Sequence, residues 1–464
     1  MTGFLLESAT AIRRLIDRRE VSAREVVEAS LRRIEEKNGE INAVVTLDPR
    51  ALDAAAALDQ RLARGEPAGP LHGLPVGIKD VTPVGGLRTT YGSPLYADHV
   101  PAEDAEVVRR LRAAGAVVLG KTNTPEFATG ANTWNEVFGR TRNPWNPERS
   151  AGGSTGGGAA ALATGMIALA EGTDLGGSLR IPAAFCGVVG LRPSPGLVPT
   201  SPADYSWDTL QVTGPIARRA EDVALVLQAI AGPSARAPLA QPVAGRDFVA
   251  AVTGADCRGL RVAYAPDVAR IGVDPTVESV CRGAAFELRQ AGATVEESDL
   301  DLEYAKESFI TLRGYWMIAQ HRTRLDRRDR FGDNLRGNVE RALGHTMLEL
   351  AEAEHRRGRV WEDLRRLFER VDLLLTPTVA VPPFPVTQNY PDTIAGRPMM
   401  TYIDWIAPTF VLSLAGLPVA SVPAGLDREG LPVGLQIVGP PQGEEKVLAL
   451  ARLVQDAYPI GLPS

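Results

Sequence analysis

The chain has 464 residues, enough for a large buried core and for one to three domains. Hydrophobic residues at 44% and charged residues at 23% exclude a disordered chain. A formal net charge of -6 gives no basic excess to attract nucleic acid or an anionic membrane, so neither is expected as a partner.

Three cysteines, Cys186, Cys257 and Cys281, have no metal-ligand spacing and suggest neither a disulfide framework nor a metal site. The first residues lack the long apolar run of a signal peptide, so the expected location is cytoplasmic.

In chain order, Ser22-Ala23-Arg24-Glu25 is a capping box, and Val26, Val27, Leu31 and Ile34 follow at helical spacing. The N-terminal part, 1–70, is therefore read as mainly helical. The apolar run 74–78 reads as a strand that delivers Lys79 and Asp80 at its end. A helix over 105–114 leads through Gly115 to a short strand over 116–119 and then to Gly120-Lys121-Thr122-Asn123. Such alternation suits a largely parallel sheet.

Two glycine turns, Gly152-Gly153-Ser154 and Gly176-Gly177-Ser178, lie on either side of the apolar run 159–170. That run is too short to span a bilayer and reads as a buried helix. Residues 191–210 form a loop rich in proline and serine that holds Tyr205 and Trp207, a candidate wall of a site. An amphipathic helix over 220–230 follows, and 233–245 reads as a surface connection because strand and helix patterns resume at 259–266 and 276–292.

Residues 303–371 are charged and helix-like, and their arginine-rich piece, 321–330, reads as a solvated face. Leu373-Leu374-Leu375 is a short buried strand, 377–408 is rich in proline, and a strand over 435–438 and a helix over 444–457 close the chain.

Of the 50 Lys+Arg residues only five are lysines: Lys37, Lys79, Lys121, Lys306 and Lys446. Arginine cannot be deprotonated in a protein whereas a desolvated lysine can, so a lysine inside an apolar segment is a candidate for proton chemistry. Lys79 fits this description, although composition alone favours a surface lysine at a strand end.

Around Ser178 the main-chain N–H groups of Leu175, Gly176, Gly177 and Ser178 can converge on one point, a geometry suited to an oxyanion. The same serine reads equally as the cap of the helix entering Ile181-Pro182. The other turn, Gly152-Gly153-Ser154-Thr155-Gly156-Gly157-Gly158, lacks the Gly-Lys-Ser/Thr ending of a phosphate loop.

A nucleophilic serine needs a base. None of the five histidines sits in a motif with a partner; His72, just before the Lys79 strand, is the best placed. Lys79 is the alternative. Lowering its unperturbed pKa of about 10.4 by about three units costs about 4 kcal/mol, which burial can impose.

The segments HGLPVGIKD, GKTNTPEF, NPWNPERSAGGSTGGGAAALATG and EGTDLGGSLRIPAAFCGVVGLRPSPG resemble the amidase signature family from about 71 to 215. The later LLLTPT, LAGLPVASVPAG and LPVGLQIVG look like that family's C-terminal core. The resemblance implies an α/β fold with three α/β/α layers on a central mixed twisted sheet. It also implies a single domain over 1–464, in which 71–215 is the signature core, 303–371 a helical segment and 372–464 the C-terminal part of the core.

It further implies a Ser-cisSer-Lys triad: Ser178 as nucleophile, Ser154 as bridging serine after a cis peptide at Gly153-Ser154, and Lys79 as base. Leu175, Gly176, Gly177 and Ser178 would supply the oxyanion hole. Asp174, Arg180 and Thr155 would support the site, and Ala128 and Thr129 would line the substrate pocket. No cofactor and no metal are implied.

Thr155 and Gly158 stand where the family often has serines. The loop from Leu197 to Pro215 lacks the pattern of the glutamine amidotransferase subunit that works on charged tRNA, which favours a stand-alone hydrolase, either monomer or homodimer.

For the substrate, Tyr205, Trp207, Tyr315, Trp316, Met399, Met400, Tyr402 and Trp405 are candidates for an apolar pocket, although the pattern of each favours ordinary core or loop packing. The expected substrate is a small apolar or aromatic amide, or a carbamate. Two other readings stand beside it: a member of a transamidation complex, and a glycine-loop binding protein without catalysis.

Overall fold

The computed structural model describes residues 3–463. Eleven strands build one sheet: Val44–Leu47 (β1), Pro75–Lys79 (β2), Val117–Thr122 (β3), Leu169–Asp174 (β4), Val189–Arg192 (β5), Val212–Ala217 (β6), Arg261–Tyr264 (β7), Thr294–Glu297 (β8), Leu373–Pro377 (β9), Val419–Leu426 (β10) and Pro432–Val438 (β11). Their spatial order is β1-β3-β2-β4-β6-β5-β10-β11-β9-β7-β8.

Side-chain alternation along the strands feeds two cores. Leu373 and Leu375 point into the core that receives the Ala220–Ile230 and Glu444–Ala457 helices. Leu374, between them, points into the core formed with the Ala305–His321, Met347–Phe368 and Ala407–Ser413 helices. The sheet is thus covered on both faces, and β2, β3 and β4 are buried along their whole length.

The sheet is mixed, as the family resemblance implies, and the largely parallel one expected from local alternation is corrected. β3, β2 and β4 run parallel, as do β9, β7 and β8, but every pairing from β4 through β6, β5, β10 and β11 to β9 is antiparallel. Pairing direction depends on connections between distant segments, which local patterning does not encode.

The run 159–170 is likewise not one helix. The Gly156–Ala163 helix stops at Thr164, Gly165 turns with φ 74, and the chain enters β4 at Leu169. A continuous apolar run cannot separate buried helix from buried strand by periodicity. The N-terminal part is helical apart from β1, which pairs antiparallel with β3. In the arginine-rich piece, Arg324 is buried rather than solvated.

Because β2 and β4 are parallel neighbours, with Ile78 paired to Glu171, both end on the same edge of the sheet. Lys79 finishes one strand, and Asp174 finishes the other immediately before the 175–178 turn. The second glycine turn is tied in by the Thr155 N–H, which donates to the Ser178 carbonyl at 3.1 Å. Among the described residues no helix is long and apolar enough to cross a membrane.

Candidate active site

Lys79 carries its side chain into the core at the end of β2, where it is fully buried. Its Nζ lies 2.7 Å from Ser154 Oγ and 2.9 Å from Thr173 Oγ1. Burial pushes its pKa down to about 7, against the opposing pull of Glu171 and Asp174. Desolvation penalises the ammonium, so the amine can be free near neutral pH. The surface-lysine reading is excluded by this burial. Ser154 is also fully buried, and the Gly153–Ser154 peptide is cis.

Ser178 opens onto a small cavity of about 40 Å³ that Gly153, Thr173, Leu175 and Gly176 also line. Its hydroxyl does not cap a helix: Leu179 holds that position for the Arg180–Cys186 helix, which has no side-chain cap. Among the described residues, none hydrogen-bonds to Ser178 Oγ, so this hydroxyl is available to an incoming group. The amides of Leu175, Gly176 and Ser178 have no protein acceptor among the described residues either.

Gly177 is different. Its N–H donates to Asp174 Oδ1 at 2.8 Å, which removes it from the expected set of four oxyanion donors and leaves three. Gly177 has φ 125, and a Cβ there would sit 2.4 Å from Thr409 Oγ1, so glycine is required on both conformational and steric grounds.

Asp174 organises the turn. Its carboxylate accepts from the N–H groups of Gly177 and Leu179 and from Arg180 Nε and Nη2, both at 3.0 Å, while Arg192 approaches Oδ1 at 3.4 Å. All three charged side chains are fully buried. The two guanidinium groups and the donated N–H groups hold the carboxyl well below the usual carboxylate range despite burial. Arg180 also donates to Thr409 O, Gln436 Oε1 and Ser413 Oγ, fixing the turn to the Ala407–Ser413 helix and β11. Thr155 is buried beside the turn, with Oγ1 3.5 Å from the Thr173 carbonyl.

A second chamber of about 430 Å³ adjoins the small one, with Phe127, Ala128, Thr173, Gln211 and Trp316 lining both. Ala128 lines both cavities and Thr129 the small one. Phe127 and Ala128 take left-handed φ values of 45 and 58, a conformation side chains rarely adopt, and this turn bends the wall around the serine.

Tyr205 lines the large chamber, but Trp207 lines neither and is 65% exposed. Trp207 is thereby corrected: it lies on the outer side of its loop. Of the other candidates, Trp316 and Tyr402 reach the cavities, Met400 and Tyr315 are exposed, and Met399 and Trp405 are core, Trp405 stacked on Phe185. His72 lines neither cavity, so it is no base for this site.

Several residues of the site had no sequence signal of their own. Thr173 was invisible because a threonine inside a strand is ordinary. Phe127 and Tyr91 stack in the chamber wall with ring centroids 5.7 Å apart, brought together from distant loops. Arg324 crosses from the arginine-rich piece to pair with Asp204 at 2.6 Å and lies over the Phe127 ring. With Trp316 Nε1 donating to Asp208 at 2.5 Å, it clamps the 199–211 loop over the chamber.

The family model described as Amidase matches residues 25–448, and 456 residues align at 38% identity with an acylamidase of Rhodococcus erythropolis. The chain belongs to the amidase signature family. That alignment covers 96% of this chain and 94% of the relative.

A glutamyl-tRNA(Gln) amidotransferase subunit from Geobacillus kaustophilus is 36% identical, with 97% of each chain covered. Among solved structures, a bacterial aryl acylamidase of the amidase signature family superposes with a TM-score of 0.90 at 30% identity, over 97% of this chain and 96% of that one. The protein is thus an amide-hydrolysing enzyme with the α/β fold of amidase signature structures.

Proposed function

We propose that this amidase is a stand-alone serine amidohydrolase that cleaves small amides carrying an apolar or aromatic group, with carbamates as further substrates. The observation that carries the reading is the hydrogen bond between the fully buried Lys79 Nζ and Ser154 Oγ. Free Lys79 takes the Ser154 proton as Ser154 takes that of Ser178. Ser178 Oγ then attacks the amide carbonyl.

The oxyanion that forms is held by the free N–H groups of Leu175, Gly176 and Ser178, each such donor contributing about 2.7–4 kcal/mol. The proton returns through Ser154 to the leaving nitrogen, the C–N bond breaks, and water hydrolyses the acyl-enzyme.

The chamber of about 430 Å³, with Tyr91, Phe127, Tyr205 and Trp316 in its wall, suits the apolar or aromatic part of the substrate. The likeness to acylamidases supports the same class. Strands of one sheet come from both ends of the sequence, which supports reading 1–464 as a single domain.

A panel of anilides, primary amides, esters and carbamates assayed with the wild type and Ser178→Ala tests the proposal. Turnover of anilides and labelling of Ser178 by a fluorophosphonate are expected in the wild type and absent from the variant. A second reading, membership of a transamidation complex, takes its support from the glutamyl-tRNA(Gln) amidotransferase relatives. It requires copurifying partner chains and glutamine-dependent ammonia release in place of anilide turnover.

A further inference from the structure

Behind Lys79 lies a set of buried ionisable groups that the proposed hydrolysis does not use. Glu171 on β4, Lys121 on β3 and Asp80, just past β2, are all almost wholly shielded from solvent. Lys121 and Asp80 close on each other: the ammonium lies 4.0 Å from Asp80 Oδ1 and also donates to the Thr82 carbonyl and to Thr89 Oγ1 at 3.1 Å. Asp80 accepts from the Thr90 amide at 3.1 Å and the Thr90 hydroxyl at 2.5 Å. That pair is internally neutral.

Glu171 is left without such a partner, since among the described residues its carboxyl forms no ion pair. Oε2 accepts the Lys79 backbone N–H at 3.2 Å, and Oε1 lies 2.9 Å from Thr82 Oγ1. The Lys79 amine is directed to Ser154 and Thr173 instead. If both groups were ionised, two opposite charges would sit in the core without contact, each stripped of water with no direct partner to offset the loss.

Moving one proton from the ammonium to the carboxylate removes both charges and leaves their sum unchanged. Every hydrogen bond survives. The free amine donates to one hydroxyl and accepts from the other, while the carboxylic acid accepts the N–H through Oε2 and donates to Thr82 Oγ1 through Oε1.

We propose that Lys79 and Glu171 share a single proton that rests on Glu171, so that Glu171 is an uncharged acid beside the free Lys79 amine and neither adds a charge to the core. Both titrations run in this direction. Burial raises Glu171 above the usual carboxylate range against the pull of Thr82, Lys121 and Lys79, and burial lowers Lys79 against Glu171 and Asp174. The other charged groups facing the pair are neutralised by their own partners: Asp80 with Lys121, and Asp174 with Arg180 and Arg192. The functional weight of the inference rests on Lys79 being the base.

Infrared difference spectroscopy of the whole enzyme at neutral pH, paired with pH profiles, tests it. Glu171→Gln keeps the size and the N–H acceptor but cannot hold the proton. The wild-type-minus-variant spectrum is expected to contain the C=O stretch of a protonated carboxylic acid, and the acid limb of kcat/KM is expected to stay in place.

Lys79→Arg, which fixes a cation, is expected to remove the same band. Thr82→Val is expected to shift its frequency, which assigns the band without Glu171→Gln should that variant fail to fold. The proposal is overturned if the wild type lacks the acid band, if the band ignores both Lys79→Arg and Thr82→Val, or if the acid limb of Glu171→Gln falls by about one pH unit, as loss of a neighbouring carboxylate requires. Full turnover in Lys79→Ala removes the base assignment instead, and the spectra still decide where the proton rests.

Discussion

Lys79 Nζ stands 2.7 Å from Ser154 Oγ with neither side chain reaching solvent. An amine so placed has no solvent to stabilise its ammonium form and a hydroxyl in contact from which to receive a proton. In the proposed mechanism that relation makes a strand-end lysine the base, and the predictions for the site follow from it.

Truncating the relay therefore stops turnover without unfolding the protein. Ser178→Ala and Lys79→Ala each lower kcat by on the order of 10⁴-fold or more, and the double variant is little worse than either single one, because groups that act as a unit are not additive. Steady-state kinetics beside thermal melts check this; independent, additive losses would contradict a shared proton path.

Activity is expected to depend on pH through the same lysine. In the proposed mechanism the free amine is the competent form, so deprotonation is expected to switch the enzyme on. With Lys79 held near a pKa of about 7, log kcat/KM rises with unit slope below that pH and levels above it. A profile of the free enzyme from pH 5 to pH 9 measures the limb; a flat profile across neutrality removes Lys79 as base.

Stability responds to a different residue. Asp174→Asn leaves Arg180 and Arg192 buried without their counter-charge and costs about 3–5 kcal/mol in denaturant unfolding. Because the folded-state pKa of Asp174 is depressed, its stabilising contribution is present above its unfolded value of about 3.9 and is lost as pH falls toward the folded one. The gap in stability between wild type and Asp174→Asn is expected to narrow as the medium is acidified below about pH 4.

Two tryptophans separate cavity from surface. Trp207→Ala leaves anilide kinetics within about twofold, since that ring is exposed and outside both chambers. Trp316→Ala removes wall from both chambers and the donor to Asp208, and lowers kcat/KM for anilides by about 10–200-fold relative to acetamide. Measured selectivity ratios decide; equal effects of the two substitutions would place the aromatic part of the substrate elsewhere.

Much of the site was legible in the sequence because glycine and serine in tight turns are informative locally. Gly176-Gly177-Ser178 and Gly152-Gly153-Ser154 stand out from any helix or strand pattern and Lys79 is one of five lysines, but the roles of Lys79, Ser154 and Ser178 are legible only through the family resemblance. The helices over 220–230 and 444–457 were legible for a related reason: amphipathic period and end signals are local too.

What went unread was held by long-range partners. β10, β6 and the true length of the Gly156–Ala163 helix depend on burial against distant strands. The same is true of Arg324, which carries the composition of a solvated arginine but is buried under the chamber wall.

The sequence by itself determined the chemical cast: two serines on bare backbone, a lysine in an apolar run and, through the family resemblance alone, Asp174 and Arg180 as supports of one turn. Only the tertiary structure decided their condition. It buried the lysine, gave the Gly177 N–H to Asp174, turned Trp207 outward and Trp316 inward, and set Glu171 beside Lys79 without an ionic partner. The reason is physical: hydrogen-bonding capacity belongs to a residue's type, whereas dielectric surroundings, free donors and protonation belong to what the rest of the chain packs around it.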